Sequence, residues 1–257
     1  MLKIATWNVN SLRVRLEHVL AWLKEHQPDV LALQETKVTD DKFPVDEFIA
    51  LGYQVTFSGQ PTYNGVALLS KEPLSTIDNV LPGMEDDPQK RFLAGTYEDI
   101  RIINVYVPNG AVVNSNKYLY KLKWLEALYK YAIIQNAVYD KAIIVGDFNI
   151  APKDADVHDP EEWVDKILVS PAERDALESL HNLGFIDTYR QFEQEENSFS
   201  WWDYRAASFR RNRGLRIDLI LTNQILSTFC KQCHIDVEPR RLEKPSDHAP
   251  VWAYFEE

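Results

Sequence analysis

Cysteine is nearly absent: only Cys230 and Cys233 occur in 257 residues, so no disulfide framework can hold the chain together. The two form a C-x-x-C. Further ligands at zinc spacing and a thioredoxin-like context are both missing, so the motif reads as chance in a terminal strand region. No apolar run approaches the ~20 residues that cross a bilayer, and MLKIATWNVN has no basic stretch followed by an apolar one, as a secretory signal would. The expectation is a soluble, intracellular, cytoplasmic protein without a membrane partner. Linkers rich in proline or glycine, repeats and low-complexity tracts are also lacking, which points to a single domain over residues 1–257. Positive charge is scarce: 28 Lys and Arg stand against 39 Asp and Glu, a net charge of −11. That balance argues first against nucleic acid, although a local field can oppose the global one.

What is present is uneven. Acids crowd 154–165 (Asp154, Asp156, Asp159, Glu161, Glu162, Asp165), whereas RAASFRRNRGLR at 205–216 carries Arg205, Arg210, Arg211, Arg213 and Arg216 with no acid at all. Alone, such a run reads as a solvated loop. Periodicity supplies the elements. Leu12, Leu16, Val19, Leu20 and Leu23 share one helical face, with Asn10 or Ser11 able to cap it and Gln27-Pro28 ending it. Val30–Leu33 and Ala142–Val145 are continuous apolar runs, the mark of strands buried on both faces. Tyr118, Leu122, Leu125, Tyr129 and Ile133 line a second helix, and Ser170-Pro171-Ala172-Glu173 is a capping box that opens a third, with Gly184 as its stop. Strands are expected at 54–57, 66–70, 76–81, 92–97, 101–107, 199–204, 217–221, 235–237 and 251–255. Many short strands with a few interleaved helices predict one α/β domain, with sheets packed together and covered outside by helices.

Polar residues repeatedly follow apolar strands. Asn8 follows Ile4–Trp7, Glu35 follows Val30–Gln34, and Tyr106 sits near the end of Ile102–Val107. Asp147 and Asn149 follow Ala142–Gly146, Asp218 lies inside Ile217–Leu221, and Asp247-His248 precedes Val251. Strand ends are where α/β folds gather functional side chains. Each residue has a plain structural use as a cap, a turn former or a surface acid. Asp218 is the hardest to dismiss, because a carboxylate in an apolar strand needs a partner. Together they offer hard oxygen ligands for Mg²⁺, an Asp–His pair and neutral donors for a phosphate.

WN at 7–8, LQETK at 33–37, YNGVALLSK at 63–71, YVPNG at 106–110, GDFNIAP at 146–152, RGLRIDLIL at 213–221 and KPSDHAPV at 244–251 occur in that order over nearly the whole chain. The series resembles the exonuclease III family of abasic-site endonucleases. The resemblance implies a DNase I-like, four-layer α/β sandwich: two packed mixed β-sheets flanked by helices. It implies a Mg²⁺-dependent nuclease, with Mn²⁺ as a possible substitute. Its substrate would be double-stranded DNA with an abasic site or a damaged or recessed 3′ end, and the enzyme would act as a monomer. It assigns Glu35 as the main metal ligand, with Asn8, Asn10 and Asp247 helping to form the metal site. Asp147 would orient or deprotonate the attacking water, Asn149 would hold water or a phosphate oxygen, and Tyr106 would donate to one. His248 would contact the scissile phosphate, with Asp218 fixing its tautomer.

The arginine segment gains meaning from its place between WWDY at 201–204 and the strand bearing Asp218. Arginines hold backbone phosphates without reading sequence, and aromatics stack on exposed bases or sugars. Arg205, Arg210, Arg211 and Arg213 are the candidate DNA contacts. Trp201, Leu215 and Ile217 match the family's pocket for an extrahelical abasic sugar, although core packing would explain them equally, Ile217 above all. Lys117, Lys121 and Lys123 read as a solvated helix face in preference to a second phosphate contact. His158 stands in the loop after GDFNIAP, as a DNA contact or a surface residue. Two other functions remain open: a same-fold phosphatase or phosphodiesterase acting on a non-DNA ester, and a non-catalytic DNA-binding protein.

Overall fold

The computed structural model describes residues 1–256. Strands β1 (Leu2–Asn8), β2 (Val30–Gln34), β3 (Gln54–Ser58) and β4 (Val66–Ser70) occupy the first part of the chain, with helices α1 (Leu12–His26) and α2 (Val45–Ile49) between them. Strands β5 (Ser75–Asp78), β6 (Phe92–Tyr97), β7 (Ile100–Tyr106) and β8 (Lys141–Asp147) follow, the long helix α3 (Asn116–Val138) lying before β8. The remainder holds α4 (Pro160–Trp163), α5 (Pro171–Asn182), β9 (Ile186–Asp187), β10 (Asp218–Thr222), α6 (Gln224–Ser227), β11 (Cys230–Ile235) and β12 (Val251–Phe255).

These strands form two six-stranded sheets, in the orders β11-β12-β1-β2-β4-β3 and β5-β6-β7-β8-β10-β9. Each contains one parallel pair, β1 with β2 and β7 with β8, so both are mixed. Strand alternation divides the packing. Ile4, Val30, Ala32 and Leu68 meet Ile102, Ile143, Val145 and Ile220 between the sheets. The opposite faces are covered by helices: Trp7, Leu31 and Leu33 by α1, and Ile103, Ile144 and Leu219 by α3 and α5. The four expected layers are present.

The helix signals act as read, with one exception. Ser170 and Glu173 form the reciprocal capping box at α5, and Gly184 follows it with φ +100°. Ser11 stands at the cap of α1 but makes no side-chain cap bond. The loop after β2 supplies the acceptors instead: Ser11 N–H donates to the Glu35 carbonyl and Leu12 N–H to that of Thr36. The helix start is thereby fastened to the segment bearing Glu35.

Three strand expectations need correction. The strand at 76–81 stops at Asp78, and the one at 235–237 is the tail of β11. Residues 199–204 form no strand: Trp201 makes one isolated bridge to Leu215 and another to His248. The reason is location. Leu215 leads into β10 of one sheet and His248 into β12 of the other, so this segment straddles the gap between the sheets and can extend neither ladder. Gly214 permits the close contact, since a Cβ there would lie 2.5 Å from the Trp202 Nε1 and 2.8 Å from the Trp201 carbonyl. Lys121 is also corrected: it is buried within α3 packing, while Lys117 and Lys123 are exposed.

Candidate active site at the strand ends

Register places the acidic residues abreast. Tyr106 pairs with Asp147 across β7 and β8, and Asp147 pairs with Asp218 across β8 and β10. Gly146 makes this possible. Its φ is +146°, and a Cβ would sit 2.0 Å from the Val105 carbonyl, so only glycine lets β8 pass β7 immediately before Asp147. Asn8 ends β1 of the facing sheet. Its amide nitrogen spans the gap, donating to Asp147 Oδ2 and to Glu35 Oε1, both at 2.9 Å. Glu35 and Asn149 themselves adopt left-handed backbone, φ +51° and +48°, conformations that cost energy in non-glycine residues and concentrate at functional sites.

His248 joins the two carboxylates. Its Nδ1 lies 2.9 Å from Asp218 Oδ2 and its Nε2 3.8 Å from Asp147 Oδ2. Asp218 also accepts from Ser200 Oγ at 2.6 Å, and that hydroxyl receives the N–H groups of Ile217 and Asp218. Burial alone would lower the His248 pKa, but the charges of Asp218 and then Asp147 outweigh it and push the imidazole up to about 10. Burial dominates at Asp147 and raises its carboxyl to about 7, against the opposing pull of His248. At neutral pH the site therefore holds an imidazolium beside a carboxylate poised to exchange a proton.

Glu35, Asp147 and His248 bring one potential ligand atom each to within 4.8 Å of one another. A charged imidazole has no lone pair to offer a cation, so the oxygens of Glu35 and Asp147 are the donors that fit. They suit a hard divalent ion. Glu35 is half-buried, and burial would raise its pKa, but the Lys37 ammonium 2.9 Å away, the Asn8 amide and the His248 charge together outweigh this and hold its carboxyl below the ordinary value. Asn8 turns its nitrogen, not its oxygen, toward these carboxylates, and its oxygen accepts from Asn10 N–H. In this arrangement it orients them. Asn10 donates to Asp247 Oδ1 at 2.9 Å, and Trp201 Nε1 donates to Asp247 Oδ2 at 3.0 Å. Asp247 thus links the Asn10 side of the site to the aromatic wall, and it stands outside the three-residue group.

Tyr106 is buried, and its phenol pKa is raised well above the ordinary value, first by burial and then by the Glu35 charge. It stays protonated and able to donate. Asn149 donates N–H to Asp147 Oδ1 at 2.8 Å, and its amide reaches the Val107 carbonyl and Asp147 Oδ2.

The expected substrate wall divides. Leu215 and Ile217 are 0% and 1% exposed and pack with Ala151, Val157 and Leu168, as core residues do; Trp201 is partly exposed above them. Arg205, Arg210 and Arg211 are exposed, whereas Arg213 is paired with Glu162. Arg216 is buried in a network with Asp156 and Asp187 and cannot reach solvent. His158 is tied back to Gly214: its backbone N–H and its Nδ1 both meet that carbonyl. Several contributors were not singled out in the sequence: Lys37, Asn109, Ser200, Ser246 and Arg91. Lys37 and Asn109 sit inside LQETK and YVPNG, and Ser246 immediately precedes Asp247-His248. Arg91, whose guanidinium lies 4.4 Å over the Tyr106 ring, has no such signal.

Known proteins are similar to this chain along nearly its whole length. A model of the endonuclease/exonuclease/phosphatase family matches residues 5–248. Exodeoxyribonuclease III of Haemophilus influenzae is 37% identical, with 99% of this chain and 100% of that protein covered. A 3′ phosphatase from Neisseria, solved with a product DNA hairpin, superposes with a TM-score of 0.98 at 44% identity over the full length of both chains. An AP endonuclease from Archaeoglobus fulgidus gives a TM-score of 0.94 at 41% identity, again over the full length of both.

Proposed function

This chain belongs to the endonuclease/exonuclease/phosphatase family, and on that premise we propose that it is a Mg²⁺-dependent DNA repair nuclease. It is a phosphodiester hydrolase of the exodeoxyribonuclease III type. Its substrate is duplex DNA, cut at an abasic site or trimmed at a recessed or blocked 3′ end, and the enzyme works as a single cytoplasmic domain and as a monomer. The observation that carries the reading is the geometry of His248, held by Asp218 at 2.9 Å and facing Asp147 across 3.8 Å.

A DNA phosphodiester is anionic and its departing 3′ oxygen is a poor leaving group, so hydrolysis needs charge neutralisation, an aimed water and a stabilised leaving oxygen. Glu35, beside Asp147 and with Asn8, Asn10 and Asp247 in support, would hold the divalent cation, which when bound would neutralise the phosphate and stabilise the leaving oxygen. Asp147 receives the proton of the attacking water; a carboxyl raised to about 7 by burial is well matched to that task at neutral pH. Asn8 and Asn149 donate to Asp147 and aim its oxygens. The His248 imidazolium contacts the scissile phosphate, Asp218 holding its Nδ1 proton so that Nε2 faces the reaction. Tyr106 donates its phenol proton to a phosphate oxygen. Trp201 is the exposed face of the sugar pocket, with Leu215 and Ile217 beneath it. Arg205, Arg210, Arg211 and Arg213 hold the DNA backbone.

The test compares an abasic duplex, a recessed 3′ end, a 3′-phosphate duplex and a soluble inositol phosphate, each with Mg²⁺ and with chelator. Turnover of the DNA substrates alone, abolished by chelator, is expected. Glu35→Ala should weaken Mg²⁺ binding measured by calorimetry and depress turnover while leaving circular dichroism unchanged. Preferential hydrolysis of the inositol phosphate would replace the DNA reading with that of a same-fold phosphatase.

A further inference from the structure

Lys121 of α3 and Glu173 of α5 are both 0% exposed and form an ion pair. Such a pair is weak support for stability, because apolar residues would fill the same space without desolvation. Its other contacts point to a different use. An ammonium has three N–H donors. Those of Lys121 reach Glu173, the Asn149 carbonyl at 2.7 Å and the Asn109 carbonyl at 3.3 Å. Two of the three acceptors belong to the loops that follow β7 and β8, where Tyr106 and Asp147 stand.

The asparagines continue the connection. Asn109 donates its side-chain amide to Asn149 Oδ1 at 3.1 Å, and Asn149 in turn donates to both oxygens of Asp147. Asn149 does this from left-handed backbone, which the surroundings must hold in place. Glu173 fixes the far end. As the N3 residue of the capping box it accepts from the Ser170 N–H and hydroxyl and from the Leu168 N–H, so it is immobile with or without the lysine.

We infer that Lys121 is a positioning residue for the hydrolysis: it locks the Asn109 and Asn149 carbonyls to α5, and thereby fixes the amide pair that aims Asp147. The inference rests on the proposed role of Asp147. Lys121 touches neither substrate nor Asp147 and acts only through the asparagines.

Three variants of the full chain test it: Glu173→Gln, Lys121→Met, and the two combined. Glu173→Gln removes the negative charge but keeps a side-chain oxygen that accepts from the Lys121 ammonium, so the link to α5 and to the asparagine carbonyls stays closed, and kcat on an abasic duplex should stay within about threefold of wild type. The combined variant contains no unpaired buried charge, so it carries the test even where Lys121→Met alone does not fold. It should lose about 100-fold in kcat, the scale of a slight misplacement of catalytic groups, with KM within about twofold. A second readout needs neither metal nor turnover. The carbonyl ¹³C resonance of Asn149 and its side-chain amide peaks should shift in the combined variant and not in Glu173→Gln. A folded combined variant with the kcat and Asn149 resonances of Glu173→Gln would overturn the inference. So would losses in both variants that track lost thermal stability. Failure of the wild type to cut DNA would sink the functional reading instead, and the resonances would still judge the lysine.

Discussion

Asp147 and Asp218 are almost wholly buried at the ends of neighbouring strands, with His248 equally buried just before β12 of the facing sheet, each charge facing a named partner. Arg205, Arg210 and Arg211, on irregular backbone a few residues before β10, stand in solvent, the Arg205 side chain 90% exposed. One region fixes its charges with protein dipoles and buried counter-charges; the other leaves them in water, Arg205 meeting the partly exposed Asp203 at 3.4 Å. Buried charges act strongly on one another and barely respond to salt, whereas exposed ones act at a distance and are screened. Changes in the first region should therefore alter kcat, and changes in the second should alter affinity and its salt dependence.

The largest expected effect is in the buried region. Asp218→Asn and His248→Gln should each lower kcat about 10²–10⁴-fold, the usual range for a positioned acid–base group. The two share one hydrogen-bonded unit, so the double variant should be little worse than the poorer single one. Multiplicative losses in single-turnover assays would mean that they work separately.

The pH profile follows from the same cluster. In the proposed role Asp147 has to be ionised to take a proton, so kcat should rise with pH through about 7. His248 must be protonated to meet the phosphate, so kcat should fall through about 10. The curve is a bell whose limbs belong to the coupled pair. Removing His248 should abolish the upper limb; a wild-type profile without one would remove the imidazolium from the reaction.

The same contrast explains what was legible in the sequence. Tyr106 and Asp147 could be read because they close apolar runs, and Asp218 because a carboxylate within an apolar run needs a partner; the sheet then sets the three side by side. The helix starts were legible too, although α1 is capped by backbone from the loop after β2, a long-range contact with no local trace. Lys121 was misread because helical spacing does not reveal that Glu173, far along the chain, waits opposite it. Residues 199–204 have strand composition but lie between two sheets. Arg213 looks identical to Arg210 in sequence, yet the acidic stretch at 154–165 folds back and supplies Glu162 to it. Tertiary pairing decided each of these, and it is invisible to local pattern.

Arginine exposure sharpens the comparison into a smaller, graded effect. Arg210→Ala/Arg211→Ala should reduce the slope of log K against log salt by about 2, one counterion per phosphate contact. Arg213→Ala should reduce it less, because that guanidinium is already engaged by Glu162. Hydrolysis of a small soluble phosphodiester should be unaffected in all of them. An unchanged slope in the double variant would mean that the duplex lies elsewhere on the protein.

Trp201 belongs to both regions, and its replacement should have the subtlest effect, a change in preference more than in rate. Its indole N–H donates to Asp247, which Asn10 also holds, while its ring covers the apolar group of Val157, Leu215 and Ile217. Leu215 and Ile217 are sealed beneath it, so of the three only Trp201 is exposed enough to meet the sugar of the proposed substrate. An abasic sugar lacks a base and leaves the helix at little cost, and an apolar wall can receive it. A 3′-terminal phosphate needs less of that wall. Trp201→Ala should therefore lower kcat/KM for abasic incision about 10-fold more than for 3′-phosphate removal, within the range of a lost apolar contact. Trp201→Phe keeps a ring but loses the bond to Asp247, so it separates the two uses of the side chain. If the ring serves the pocket, phenylalanine should restore most of the preference for the abasic substrate. If the N–H bond to Asp247 is what matters, both variants should lose activity on both substrates alike, and Trp201 would belong with the buried cluster, not with the wall.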